Sequence, residues 1–242
     1  MIQTWNERAH TALKGKTGML LAWSFACAFI VEVGTIVDPT LYGMRADTLF
    51  ASGMWLIGSV VVSFMLYPII IGYHWVLLGT VRREESQFKH VFRPLRQRYD
   101  KHVAATILLT VLQLLWTLLF LVPGVIKFFS YAFTYFILHD EPELSVRAAI
   151  TKSRDLMRGR KGKAFKLILP FMPVYVLGLT LFFYFNAVFL AALSLFVATG
   201  LIRPFIVSRF AVMYEDARRE YDAQWKSIRE PDVAAAHVIQ SS

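Results

Sequence analysis

The sequence predicts an all-α membrane protein with six transmembrane helices, arranged as three hairpins, each preceded by a basic amphipathic interfacial helix. Three observations carry this. The chain is 56% hydrophobic and only 18% charged, with a mean hydropathy of +0.49, unlike an average soluble domain. Several apolar runs approach or exceed the roughly 20 residues that a helix needs to cross about 30 Å of hydrocarbon. The basic residues are also segregated: of 26 Lys and Arg, all but Arg45 and Lys127 fall in segments 1–16, 82–101, 147–166 and 203–229. Short alternating segments that would build a membrane β-barrel are not visible.

Residues 1–230 read as one polytopic domain, with spans at about 17–37, 54–80, 103–122, 125–139, 164–185 and 187–213 and a disordered cytoplasmic tail at 231–242. Basic loops resist translocation, so the four clusters place both termini in the cytoplasm. The net charge of +9 is thereby explained by topology and by contact with anionic lipid. No compact basic domain exists to bind nucleic acid. A lone cysteine, Cys27, excludes a disulfide framework. The N-terminal region lacks a convincing signal peptide, so its first apolar run is expected to remain as an anchor.

The first segment carries Ile2, Trp5, Ala9, Ala12 and Leu13 at helical spacing, the pattern of a helix lying on a membrane surface. A helix packed against protein shares that pattern. Glu32 lies near the far end of the first span, where it reaches the outer interface within about one turn. The second span contains Gly58, Pro68, Gly72 and His74, read as kink or close-packing positions and a packed histidine. Phe88, Val91, Phe92, Leu95, Tyr99 and Val103 form the next apolar stripe, with Pro94 breaking or starting a helix. Gln113 is the polar interruption of the third span and suits an interhelical hydrogen bond.

Pro123-Gly124 is the predicted structural turn. The return, 125–139, is short for a span at about 22 Å, so either the turn sits below the outer surface or the bilayer thins. Asp140 is the expected cap of the following helix, with Glu143 three residues on. That helix places Val146, Ala149, Ile150, Ser153, Leu156 and Met157 on one face and Arg147, Arg154 and Arg158 on the other, and ends at Gly159. Arg147, Arg154, Arg158, Arg160 and Lys161 are the candidate lipid-headgroup contacts. The last hairpin turns around Asn186; Arg203 is expected near the cytoplasmic headgroups, and Pro231 ends the final helix.

Leu13-Lys14-Gly15-Lys16, Leu95-Arg96-Gln97-Arg98 and Leu156-Met157-Arg158-Gly159-Arg160 each close a basic segment ahead of an apolar hairpin, suggesting a threefold repeat. The motif Leu121-Val122-Pro123-Gly124-Val125-Ile126-Lys127 is joined by Tyr131, Tyr135-Phe136-Ile137-Leu138, Asp140, Pro142, Ala149-Ile150-Thr151-Lys152-Ser153-Arg154 and Leu156-Met157. Together with Ala12-Leu13-Lys14-Gly15, these resemble a family of bacterial integral membrane proteins catalogued as domain of unknown function number 975. The resemblance spans most of the chain and departs from the family pattern at His139 and Arg203-Pro204. It implies a bacterial cytoplasmic (inner) membrane location and supplies no activity. The hairpin-and-surface-helix plan is also similar to the membrane portion of some glycerophosphodiester phosphodiesterases, whose catalytic portion has no counterpart here.

Enzymatic chemistry is not expected. The six histidines show no metal-ligand spacing with carboxylates or Cys27, and no phosphate loop or nucleophile elbow appears. No cofactor is expected. The sequence therefore points to a multi-pass, non-enzymatic membrane protein that organises lipids or partner proteins at the cytoplasmic leaflet. Its partners would be membrane lipids, anionic ones included, and a membrane protein of unknown identity. The alternative is a transporter or exporter of an apolar or lipid-like molecule, for which Pro68-Gly72, Pro123-Gly124 and Pro170–Pro173 would supply broken helices.

Overall fold

A computed structural model describes the backbone of residues 2–36, 49–84, 88–185 and 188–240. Its described side chains run over 2–30, 53–84, 89–180 and 193–224, apart from Leu56 and Leu179. The described residues are helical throughout, joined by turns and without a strand. Four helical stretches are long and apolar enough to cross a membrane: Gly53–Val81, Tyr99–Leu119, Leu121–Asp140 and Leu193–Gln224. Of the loop that the sequence places between the first two spans, 38–52, residues 38–48 lie outside the described residues and 49–52 are helical; the turn at Asn186 and the side chain of Glu32 also lie outside the described residues.

Helix α1 (Ile2–Leu13) buries Trp5, Ala9 and Leu13, one stripe at i, i+4 and i+8. That stripe faces α11 (Val188–Gln240) and α3 (Leu49–Val81) instead of lipid. The interfacial expectation for α1 is corrected accordingly: protein occupies its apolar face. Gly15, at φ +82°, then turns the chain into α2 (Thr17–Ile36).

Helices α2, α3 and α11 form the central bundle. The Tyr73 hydroxyl donates to the Leu20 carbonyl at 3.1 Å, and the rings of Phe25 and Phe196 lie 5.7 Å apart. Pro68 and Pro204 both sit inside helices here, so one missing N–H is absorbed within the packed bundle. The final helix likewise continues through Pro231 to Gln240, where the sequence predicts an end and a disordered tail. Proline removes a single hydrogen bond and does not by itself stop a long helix.

After α3 the chain folds back along it. A 3-10 helix (Phe88–Phe92) brings the Val91 carbonyl so close that a Cβ on Gly72 would lie 1.8 Å from its oxygen. Gly72 is thus a close-approach glycine. Pro94 opens the short helix α4 (Arg93–Arg96), and Arg98, at φ +51°, precedes α5 (Tyr99–Leu119). Arg98 is tied to Glu143 at 2.7 Å, which anchors the base of the next hairpin.

The reversal does not occur at Pro123-Gly124. It occurs three residues earlier, at Phe120, whose backbone is extended (φ −159°, ψ 139°). Pro123 lies in the first turn of α6 (Leu121–Tyr131), where an intrahelical donor is not required. Gly124 lets α5 and α6 approach, since a Cβ there would meet the Thr117 hydroxyl at 2.7 Å. Gln113 bridges the pair by donating to the Gly124 carbonyl at 2.9 Å.

Helix α7 (Thr134–Asp140) follows a short break, and α8 (Val146–Leu156) then doubles back along α7 and α6. Its cap is Ser145, whose hydroxyl accepts from the Ala148 N–H at 3.2 Å. Asp140 is the last residue of α7, so its predicted capping role is corrected. Helix α9 (Lys161–Ile168), a 3-10 turn (Leu169–Phe171) containing Pro170, and α10 (Met172–Phe185) lead back to α11.

Candidate functional site

Two features stand out: a charged hub where α3, α7 and α11 meet, and an apolar groove between those helices and α5. Asp140 is the centre of the hub, with its side chain only 4% exposed. Arg82 grips both of its oxygens, at 2.8 and 2.7 Å. The Tyr214 hydroxyl donates at 2.8 Å, Arg218 donates to the same oxygen, and His139 Nδ1 lies 3.0 Å from the other. Arg82 also donates to Glu215 at 2.8 and 2.6 Å. Burial works against the charge on Arg82, but the hydrogen bonds and charges of Asp140 and Glu215 outweigh it and raise its pKa.

This hub is closed. Two arginines face two carboxylates, and both Asp140 oxygens already hold strong donors. Its carboxylates are all held by arginines, and no group of three or more metal-ligating side chains occurs among the described residues. An adjoining pair extends it to α1, where Trp5 and Arg8 donate to Asp216 at 2.7 and 2.8 Å. The arrangement clamps one end of the bundle and fixes the start of α8.

The groove encloses about 520 Å³ between α3, α5, α6, α7, α9 and α11, within the usual size range of ligand sites. Its walls are mainly apolar, including Leu109, Phe128, Phe136 and Phe210, while Tyr67, His74, Gln113 and Tyr135 contribute polar atoms. His74 has Nδ1 2.7 Å from the Ile70 carbonyl of its own helix, and its ring lies against Tyr135 and Phe136.

The five predicted headgroup residues do not form one surface. Arg147 and Arg154 are exposed along the outer face of α8, and Arg158 just beyond its end. Arg160 is drawn instead to Glu220 and to the Leu156 carbonyl, and Lys161 is half-buried. Ala149, Ile150, Ser153 and Leu156 of α8, and Met157 just beyond it, are buried against protein. The expectation of a helix laid apolar-face-down on lipid is therefore corrected. Ser153 explains the docking: its hydroxyl donates to the Ser130 carbonyl at 2.9 Å and accepts from the Phe133 N–H at 3.2 Å.

Arg203 faces inward from α11. Its guanidinium lies beside Cys27, with one nitrogen buried and without a described hydrogen-bond partner. Sequence reasoning missed the hub because Asp140 meets partners 58 and 78 residues away. The local signal, His139-Asp140 at the end of an apolar run, read as a boundary. Comparison with protein families, curated proteins and solved structures finds no match for this chain.

Proposed function

We propose that this chain is a multi-pass, non-enzymatic protein of a bacterial cytoplasmic membrane that organises anionic lipids or a partner protein at the cytoplasmic leaflet. The observation that carries the reading is α8. Its apolar face is locked into the protein while Arg147, Arg154 and Arg158 point outward. A docked helix presents its cations with little conformational freedom left to lose, and each is worth about 1 kcal/mol near an anionic surface. The resemblance of 121–158 to domain of unknown function number 975 supports the bacterial membrane location. An even number of crossings, six in the hairpin layout read from the sequence, keeps both termini and all four basic clusters on the cytoplasmic side.

Changing Arg147, Arg154 and Arg158 together to Gln should reduce the anionic lipid that co-purifies after mild extraction, measured by mass spectrometry. Unchanged lipid content in a folded variant would overturn the assignment. Arg160 is omitted because Glu220 and the Leu156 carbonyl hold it, whereas Arg158 has only Asp155 at 3.5 Å and stays exposed.

A second reading is favoured by the groove: a carrier of an apolar or lipid-like molecule held between Phe136, Phe210 and the polar atoms of His74 and Gln113. Exchange of such a molecule between vesicles by the reconstituted protein would select it.

A further inference from the structure

We infer that the α5–α6 hairpin does not cross the bilayer but enters it from the cytoplasmic side as a wedge, with its tip among the acyl chains of one leaflet and its flanking cations at the phosphates. The inference rests on the membrane reading proposed above. It replaces the two middle crossings of the six-span layout and leaves α2, α3, the continuous α9–α10 stretch and α11 as the spans, so the parity of crossings is unchanged.

Helix α8 supplies the constraint. It starts just beyond Asp140 and returns beside the hairpin until Ser153 bonds to Ser130 and Phe133. Arg154 and Arg158 follow, both exposed, with 86% of the Arg158 side chain open. Suppose the hairpin stood upright with Asp140 at the cytoplasmic headgroups. Ser130 would then lie about 15 Å higher, near the middle of about 30 Å of hydrocarbon. That would set Arg154 and Arg158 directly against lipid chains at the depth where a charge is most costly.

Placing the flank at headgroup level removes the conflict. Lys127 lies close enough to Arg154 and Lys161 to feel their charges, and its amine sits 4.3 Å over the Trp116 ring. Lys and Trp are the side chains that favour the membrane interface. From Lys127 to Phe120 is only seven residues, about 10 Å of helix, less than one leaflet's hydrocarbon. No polar side chain occurs from Leu118 to Ile126.

The tip has the surface that this environment requires. Leu118, Phe120, Leu121 and Val122 are 74%, 67%, 72% and 69% exposed. In water such a contiguous patch would be an aggregation site. Two backbone bonds hold the reversal: the Phe120 N–H reaches the Trp116 carbonyl at 3.2 Å, and the Gly124 N–H reaches the Phe120 carbonyl at 3.0 Å. The occupant of this surface is therefore acyl chain, capped by headgroup phosphate at Lys127, Arg154 and Arg158.

The test uses the full chain with Cys27→Ser and a single fluorophore attached at Phe120→Cys or, independently, Val122→Cys, reconstituted into vesicles of phosphatidylglycerol and phosphatidylethanolamine. Nitroxide-labelled lipids carry the quencher either near the chain end or near the headgroup. A wedge predicts stronger quenching from the chain end and no reaction of either cysteine with an impermeant thiol reagent on either side. A full crossing predicts stronger quenching from the headgroup position, or labelling from the side opposite Arg158; either result overturns the wedge. Labelling from the same side as Arg158 places the tip in water and also overturns it. Loss of the anionic-lipid preference while the tip stays deep would sink the proposed headgroup function and leave the wedge standing.

Discussion

The hub around Asp140 and the tip around Phe120 are opposite solutions to placing side chains in a low-dielectric setting. At the hub, ionic groups from distant parts of the chain are buried together, and each charge finds a partner within hydrogen-bond reach. At the tip, large apolar side chains from adjacent positions are turned outward with no protein against them. Satisfaction at the hub comes from the protein itself, whereas the tip depends on its surroundings. Changes at the hub should therefore register as lost stability in any medium. Those at the tip should register only where the medium is a bilayer.

The largest effect is expected from Asp140→Ala, which strands Arg82 and Arg218 without their shared carboxylate. Removing one member of a buried ion pair costs about 3–5 kcal/mol, read as lowered unfolding stability in detergent micelles. Phe120→Ala in the same assay should shift stability by no more than about 0.5 kcal/mol. Equal losses would erase the contrast between the two regions.

Next in size is Gly72→Ala. A methyl group 1.8 Å from the Val91 oxygen forces the folded-back segment off α3, at about 1–3 kcal/mol for overpacking. The same change at Gly58, where a Cβ meets nothing within 4 Å, serves as the control and should raise stability by up to about 1 kcal/mol through helix propensity.

Ser153→Ala should cost a similar amount but over a smaller part of the molecule. It leaves the buried Phe133 N–H without its acceptor, a loss of about 1–3 kcal/mol. Its signature is local: α8 should detach from α6 and α7, and amide exchange across Val146–Leu156 should speed up more than across α3. Uniform acceleration everywhere would argue against α8 being an independently docked element.

Much of this fold was legible in the sequence, because apolar runs and the apolar–basic alternation in 146–158 report directly on helices and their faces. The position of the reversal was not. Pro123-Gly124 has the residues of a turn, yet proline is equally suited to a first helical turn, and the chain breaks at Phe120, which carries no turn signature. The partner of an amphipathic face was also hidden. The stripes on α1 and α8 fit lipid or protein equally well, and only the tertiary structure shows Trp5 and Ile150 covered by protein. Asp140 looked local because its neighbours Pro142 and Glu143 are local, while the arginines that define it lie elsewhere in the chain.

The central claim is that the basic end of the molecule faces the cytoplasm while the bundle crosses the membrane. It is tested most directly by impermeant thiol labelling of Arg45→Cys and Arg158→Cys, each in a Cys27→Ser chain, in intact cells and in inverted vesicles. Arg45→Cys should react only in intact cells and Arg158→Cys only in inverted vesicles. Reaction of both positions from the same side would contradict the account.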